Sequence, residues 1–306
     1  MTKNKAIRTA LRRLGIERGA IPIFLPMLIQ LKKYLPLLGG LLCLPTAGFA
    51  QFPSRFVRAE EPGNLAISVG GGIANYRGDL NEGRAFRPGE IGLAAAIGLY
   101  YRLSDHLTGR GEVQLLRLSG SQRNTADASN NLSFRSTNPQ LTAGLLLELL
   151  PASSRPVVNP YLAVGVGLTY LSPQARYQDE WVSLPRLKTE GEPYRRLAAL
   201  VYGGIGLLVR VSRQVLVSVE LAYTLPSSDY LDDVSTVYPY ASSLATSLAV
   251  RLADRSPELG LPSHAPGTPR GNRPGTDTYL TGLFRVVLPL SSSKERQYRQ
   301  SVNCVR

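Results

Sequence analysis

The chain has 306 residues, is 43% hydrophobic with a mean hydropathy of −0.05, and carries a formal net charge of +13. That average resembles a soluble protein, yet it leaves room for a membrane barrel, whose strands need apolar residues on one face only. The charge is no nucleic-acid footprint: eight Lys and Arg against Glu17 put +7 in the first 50 residues and leave +6 for the rest, without a basic stripe interleaved with aromatics.

Those 50 residues read as a secretory leader. Lys32 and Lys33 precede the apolar run from Leu35 to Leu44, and Pro45 leads to the small-residue end Ala47 to Ala50. The run is shorter than the roughly 20 residues a spanning helix needs, so removal between Ala50 and Gln51 is expected. Met27 opens a compact leader by itself and is the expected alternative start. Cys43 follows Leu42 instead of a small residue, against a lipoprotein site. After cleavage Cys304 alone is left, so an internal disulfide is excluded. Residues 51–63 are then expected to form an N-terminal periplasmic segment.

From residue 64 to 290 the chain predicts an all-β fold: an antiparallel up-and-down transmembrane β-barrel of about eight strands, with no helical stretch between them. The segments are 64–74, 90–102, 107–119, 139–150, 160–171, 199–211, 215–225 and 278–290. Short breaks follow the second, fourth and sixth, whereas 75–89, 120–138, 172–198 and 226–277 are long and polar. Tight turns at one rim and long loops at the other give that rhythm, and in an outer membrane the turns and both termini face the periplasm.

Alternation assigns the faces. Val215, Val217, Val219, Leu221 and Tyr223 share one side of the seventh segment and are expected to meet lipid, with Ser218, Glu220 and Ala222 inward; Leu65, Ile67, Val69 and Ile73 oppose Ala66, Ser68, Gly70 and Gly72 in the first. The same parity turns Arg110, Glu112, Gln114, Glu148, Arg210 and Arg285 inward. A cation facing lipid at the midplane costs about 2–4 kcal/mol, so these charges and Glu220 are expected to pair in one lumen network that plugs the barrel and leaves no open pore. Tyr76, Tyr100, Tyr101, Tyr161, Tyr170, Tyr202, Tyr223 and Tyr279 fall near strand ends, where rings straddle headgroup and hydrocarbon, or pack inward.

Few motifs point to chemistry. Val164 to Gly167 and Gly203 to Gly206 are Gly-rich, but neither completes a dinucleotide fingerprint nor opens a helix, so they read as close packing. His106 lies in a turn and His264 in a Pro-rich stretch near Ser263; no orienting group is visible, and no catalytic residue is assigned. Asp229, Tyr230, Leu231, Asp232, Asp233, Val234, Ser235 and Thr236 form the most distinctive stretch. Its acids lack the spacing of a calcium loop, so a hydrogen-bonded loop is expected and no metal or cofactor site is assigned. The last 16 residues, 291–306, form a basic tail with Lys294, Arg296, Arg299 and Arg306 against Glu295, expected in the periplasm.

Asn75 to Leu80, Asn131 to Ser136, Pro160 to Gly165, Thr189 to Gly191, Asp229 to Thr236, Leu252 to Ser256 and Arg270 to Asn272, together with the leader, resemble the PorG-like outer-membrane barrel family. The resemblance runs in order through most of the chain after the leader, and departs from the family in the long leader and the Pro-rich segment 257–275. It implies a non-enzymatic structural or assembly component of type IX protein secretion, in contact with outer-membrane lipid and periplasmic ring proteins, and with no catalytic residues. A general envelope barrel acting as adhesin or stabiliser is the alternative, and a barrel-borne lipid-modifying enzyme a third. No nucleic acid and no small-molecule substrate are expected.

Overall fold

A computed structural model describes residues 64–81, 89–212, 214–271 and 277–290. The expected leader with its Ala50–Gln51 cleavage, the segment 51–63 and the tail 291–306 lie outside the described residues.

Ten strands are present among the described residues: β1 (Leu65–Arg77), β2 (Ile91–Arg102), β3 (Leu107–Ser121), β4 (Ser133–Glu148), β5 (Val158–Tyr170), β6 (Pro173–Tyr177), β7 (Glu180–Ser183), β8 (Leu197–Arg210), β9 (Leu216–Pro226) and β10 (Thr278–Pro289). Eight of them form an antiparallel barrel in the order β1-β2-β3-β4-β5-β8-β9-β10. The barrel closes where β10 returns to β1, in register from Ala66 opposite Pro289 to Arg77 opposite Thr278. The expected eight-stranded up-and-down barrel is therefore the observed fold.

Burial is inverted relative to a soluble domain. Leu93 is 70% and Ile97 68% exposed, while their β2 neighbours Ala94 and Ala96 are 6% and 3% exposed. Val69, Val113, Leu141, Val166, Val219 and Phe284 continue the apolar exterior around the barrel. Water does not tolerate so continuous an apolar belt, whereas hydrocarbon does, so the strands cross a membrane. Inside, small, hydroxylic and charged side chains fill the narrow bore that eight strands leave.

Three elements depart from the sequence expectation. β4 begins at Ser133, six residues before the expected 139, because the outward residues of its first turns are Ser133, Arg135 and Thr137. They alternate with inward Phe134, Ser136 and Asn138 but carry no apolar signal, since they stand beyond the belt. The gap 172–198 contains the β6–β7 hairpin, which extends β4 through Arg135 opposite Gln174. The gap 226–277 contains a short helix, α1 (Ser247–Ala253), capped by the Thr246 hydroxyl accepting from the Ala249 N–H at 3.1 Å. Seven residues are too few for a helical period to stand out in a polar loop.

Candidate functional site

Four charges meet at mid-barrel. Arg110 on β3 grips Glu220 on β9 with both terminal nitrogens, at 2.6 and 3.0 Å. Arg285 on β10 does the same to Glu112 on β3, through Nε at 2.7 Å and Nη2 at 2.9 Å, and reaches Glu220 at 3.3 Å. Two cations and two anions thus neutralise each other with forked geometry, the arrangement that makes buried charge tolerable. Tyr161 donates to Glu220 at 2.9 Å, and Arg110 lies over the Tyr202 and Tyr100 rings at 5.6 and 6.0 Å. Gln114 donates to Glu112 at 2.5 Å, Gln140 to Gln114 at 3.1 Å, and the Tyr279 hydroxyl to Gln140. The chain of contacts fills the bore from wall to wall.

Glu148 and Arg210 do not join that group, contrary to the expectation of one network. Both face a separate cavity of about 60 Å³ at the turn rim, roughly room for two waters. There Glu148 pairs with Arg102 at 3.4 Å and accepts from Thr108 at 2.8 Å and Asn159 at 3.0 Å. Arg210 lines the cavity without an ion pair among the described residues. The two groups sit at different heights because Arg102, Glu148 and Arg210 end their strands, whereas Arg110, Glu112, Glu220 and Arg285 lie inside theirs. Arg102 was not singled out in the sequence, since it follows Tyr100 and Tyr101 at a strand end.

Most of the tyrosines are not a girdle. Tyr76, Tyr100, Tyr161, Tyr202 and Tyr279 point inward and are buried; only Tyr101 and Tyr170 stand exposed on the outside. Tyr223 has outward parity, yet is covered and donates to Thr278 at 3.0 Å. Val215 precedes β9 instead of belonging to it. The inward rings explain the Gly-rich fragments: a Cβ on Gly165 would meet Tyr202 Cε1 at 2.5 Å, and one on Gly206 would meet the Tyr161 ring at 2.3 Å. Glycine is the residue that lets these rings lie against the wall.

At the loop rim, Asp229 to Thr236 is a clasp. Thr189 and Tyr194 donate to the Asp233 carboxylate, the latter at 2.7 Å, while Arg270 donates to the Asp233 carbonyl at 2.6 Å and to that of Ala253 at 3.0 Å. Glu190 accepts from Arg270 at 3.2 Å, from the Ser235 N–H at 2.9 Å and from the Thr236 hydroxyl at 2.7 Å. Asp232 caps its own turn through the Val234 N–H at 2.9 Å, and Asp229 accepts from Ser235 and from the Asp277 N–H, each at 3.0 Å. Tyr230 stacks on Tyr194 at 4.2 Å, and Leu231 and Val234 sink into the apolar cluster of Tyr76, Leu80, Leu132, Phe134 and Leu171 that closes this end.

Burial dominates the acids there. It pushes Asp233 up to about 6 even though the Arg270 guanidinium pulls the other way. Burial also holds Asp232 and Asp277 well above the usual carboxylate range, with Asp232 raising Asp277 further. The Tyr76 hydroxyl lies 2.5 Å from Asp232 and 2.8 Å from Asp277. It has one proton to give, so the two carboxyls, both raised by burial, compete for it. Glu190, Thr189, Tyr194, Arg270 and Asp277 are participants that sequence reasoning did not assign; the quoted segments Thr189 to Gly191 and Arg270 to Asn272 were the available signal.

His264 does gain an acid and a hydroxyl, from Asp254 and Ser256 in place of the expected neighbour Ser263. Asp254 lies 3.1 Å from Nδ1, but Ser256 also sits on the Nδ1 side, at 3.5 Å, and donates to Asp254 at 2.8 Å. Catalysis needs the acid and the nucleophile on opposite ring nitrogens, so this trio is a loop clip. Burial raises Asp254, but hydrogen bonds from the His264 N–H and from Ser256 outweigh it and hold the carboxyl below its usual value. His264 stacks on Tyr238 at 4.2 Å, beside an open groove of about 590 Å³ that Tyr177, Leu244 and Arg251 also line. His106 is a turn residue whose Nδ1 lies 2.9 Å from the Glu148 carbonyl.

No protein-family model matches the chain, and no curated protein matches it. Among solved structures it is similar to Neisserial surface protein A, with a TM-score of 0.40 and 10% identity over 76% of this chain and 100% of that one. The attachment invasion locus protein Ail of Yersinia pestis gives 0.36 and 12% over 75% and 99%. The outer membrane protein OprG of Pseudomonas aeruginosa gives 0.36 and 10% over 76% and 98%. At such scores the likeness extends to the outline of a barrel and no further.

Proposed function

We propose that the chain is a non-enzymatic outer-membrane barrel that works through its rims, and that it serves as a PorG-like structural or assembly component of type IX secretion. The observation that carries this reading is a convergence. Six separately quoted segments of the resemblance meet in one buried cap: Asp229 to Thr236 is held by Thr189, Glu190 and Arg270, Arg270 is anchored to the Leu252 to Ser256 segment, Asn131 donates to the Arg255 carbonyl at 3.4 Å, and Gly271 approaches Asp79. Segments scattered over some 200 positions of sequence make sense together only as one structural unit. The plugged bore supports a role in holding or scaffolding over one in conduction.

The test is affinity purification of the tagged protein from detergent-solubilised outer membranes, with identification of what accompanies it. Type IX ring proteins are expected. A heat-modifiable barrel that purifies alone, from a strain whose protein export survives deletion of the gene, moves the function to a general envelope barrel. The groove beside Tyr238 and His264 favours that second reading, because it offers the charged side chains of Arg251 and Glu258 beside half-buried Tyr177 and His264 on the loop cap.

A further inference from the structure

The barrel exterior carries an arginine patch where the apolar belt ends at the loop rim. Arg117 on β3 and Arg135 on β4 both point outward; the register sets Arg117 opposite Thr137, two residues from Arg135. Arg135 lies over the Trp181 ring at 3.6 Å, and its Nη2 reaches Gln174 at 3.3 Å. Further round, Arg196 lies over the outward Tyr170 ring at 4.4 Å and donates through Nε to the Leu171 carbonyl at 3.0 Å. Directly on the turn side stand Leu93, Leu115, Leu141, Leu168 and Leu197, all exposed. Among the described residues no carboxylate pairs with Arg117, Arg135 or Arg196.

Three guanidiniums with no carboxylate partner among the described residues stand on a surface continuous with the lipid-facing belt, their N–H groups open to an anion at that level. What covers the belt is lipid, and the anion that lipid brings to the end of a belt is headgroup phosphate. A guanidinium parked on an aromatic face keeps N–H groups at its edge to chelate phosphate bidentately. Exposed Trp181 and Tyr170 are the ring types that settle at the headgroup level. We propose that Arg117, Arg135 and Arg196, with Trp181 and Tyr170, bind the phosphate of a membrane-lipid headgroup in the leaflet facing the loop rim.

Trp181 is the single tryptophan of the chain, so intrinsic emission reports on the patch. Purified full-length protein in maltoside micelles is titrated with bisphosphorylated lipid A, a probe chosen on the outer-membrane reading above. A saturable emission change is expected. Arg117→Gln and Arg196→Gln each weaken it about fivefold, and the triple glutamine variant loses about a hundredfold in lipid retention by native mass spectrometry. Lipid A stripped of phosphate gives no response, and equimolar inorganic phosphate does not compete. Arg155→Gln, in the turn after β4 at the opposite rim, leaves the affinity unchanged. Equal binding of stripped and intact lipid, displacement by inorganic phosphate, or an unaltered triple variant overturns the proposal. Heat-modifiable migration of each variant reports the barrel separately, so loss of binding by a folded variant assigns the loss to the patch, whereas a folded wild-type protein that does not bind overturns the patch and leaves the outer-membrane reading standing. If the triple variant does not fold, the stripped-lipid comparison on the wild-type protein decides.

Discussion

Glu220 is shared by two guanidiniums, and its removal strands both. Glu220→Ala leaves Arg110 and Arg285 facing Glu112 alone in a buried bore, a loss of about 3–5 kcal/mol, read as a lowered urea midpoint of the refolded barrel. Asp233 responds to pH instead. Its carboxyl rises from 3.8 to about 6 in the folded cap, so the cap binds a proton that the unfolded loop has already released. That contribution is complete below about 4 and disappears as pH climbs through about 6. Amides of 229–236 should therefore exchange faster at about pH 8 than at about pH 4, after correction for intrinsic rates, and Asp233→Asn should flatten the difference. Parity was enough to turn Arg110, Glu112, Glu148, Arg210, Glu220 and Arg285 inward from sequence. Which of them touch was not legible, because height in the bore depends on register and tilt, and neither is written in the alternation of one strand.

Elements obey stricter geometry than residues do. A Cβ on Gly92 would lie 1.7 Å from the Arg117 carbonyl oxygen, a backbone atom that cannot yield without parting β2 from β3. Gly92→Ala should abolish the heat-modifiable form, whereas Gly111→Ala, which meets nothing within 4 Å, should refold normally. Val219→Arg puts a cation on the lipid face of β9 and should cost about 2–4 kcal/mol in assembly, read as a lower refolded fraction in vesicles. Strand positions were legible wherever apolar and small residues alternate, as in 64–74 and 90–102. They were not legible at Ser133 to Asn138, where the strand has left the belt and both faces are polar. The tyrosines were left open between girdle and interior for a related reason: a ring near a strand end has the same sequence signature whether it faces headgroups or folds over an inward glycine such as Gly165 or Gly206.

Taken whole, the molecule is asymmetric along its axis: short turns and a small cavity at one rim, a clasped cap of long loops at the other, and a neutral four-charge plug between. Liposomes carrying the protein should swell in small sugars no faster than empty ones, since the plug spans the bore. The cap itself could not be read from sequence beyond the suspicion that Asp229 to Thr236 was a bonded loop; its partners come from 37 to 156 positions away and meet only because the barrel brings the loops over one mouth. The same closure has a consequence in time. β1 pairs with β10, more than 200 residues downstream, so the chain must hold two unsatisfied sheet edges until its last strand arrives. Loop closure over that span is slow, and open edges invite pairing with other chains. The seam between first and last strand thus sets the interval during which this protein depends on an escort.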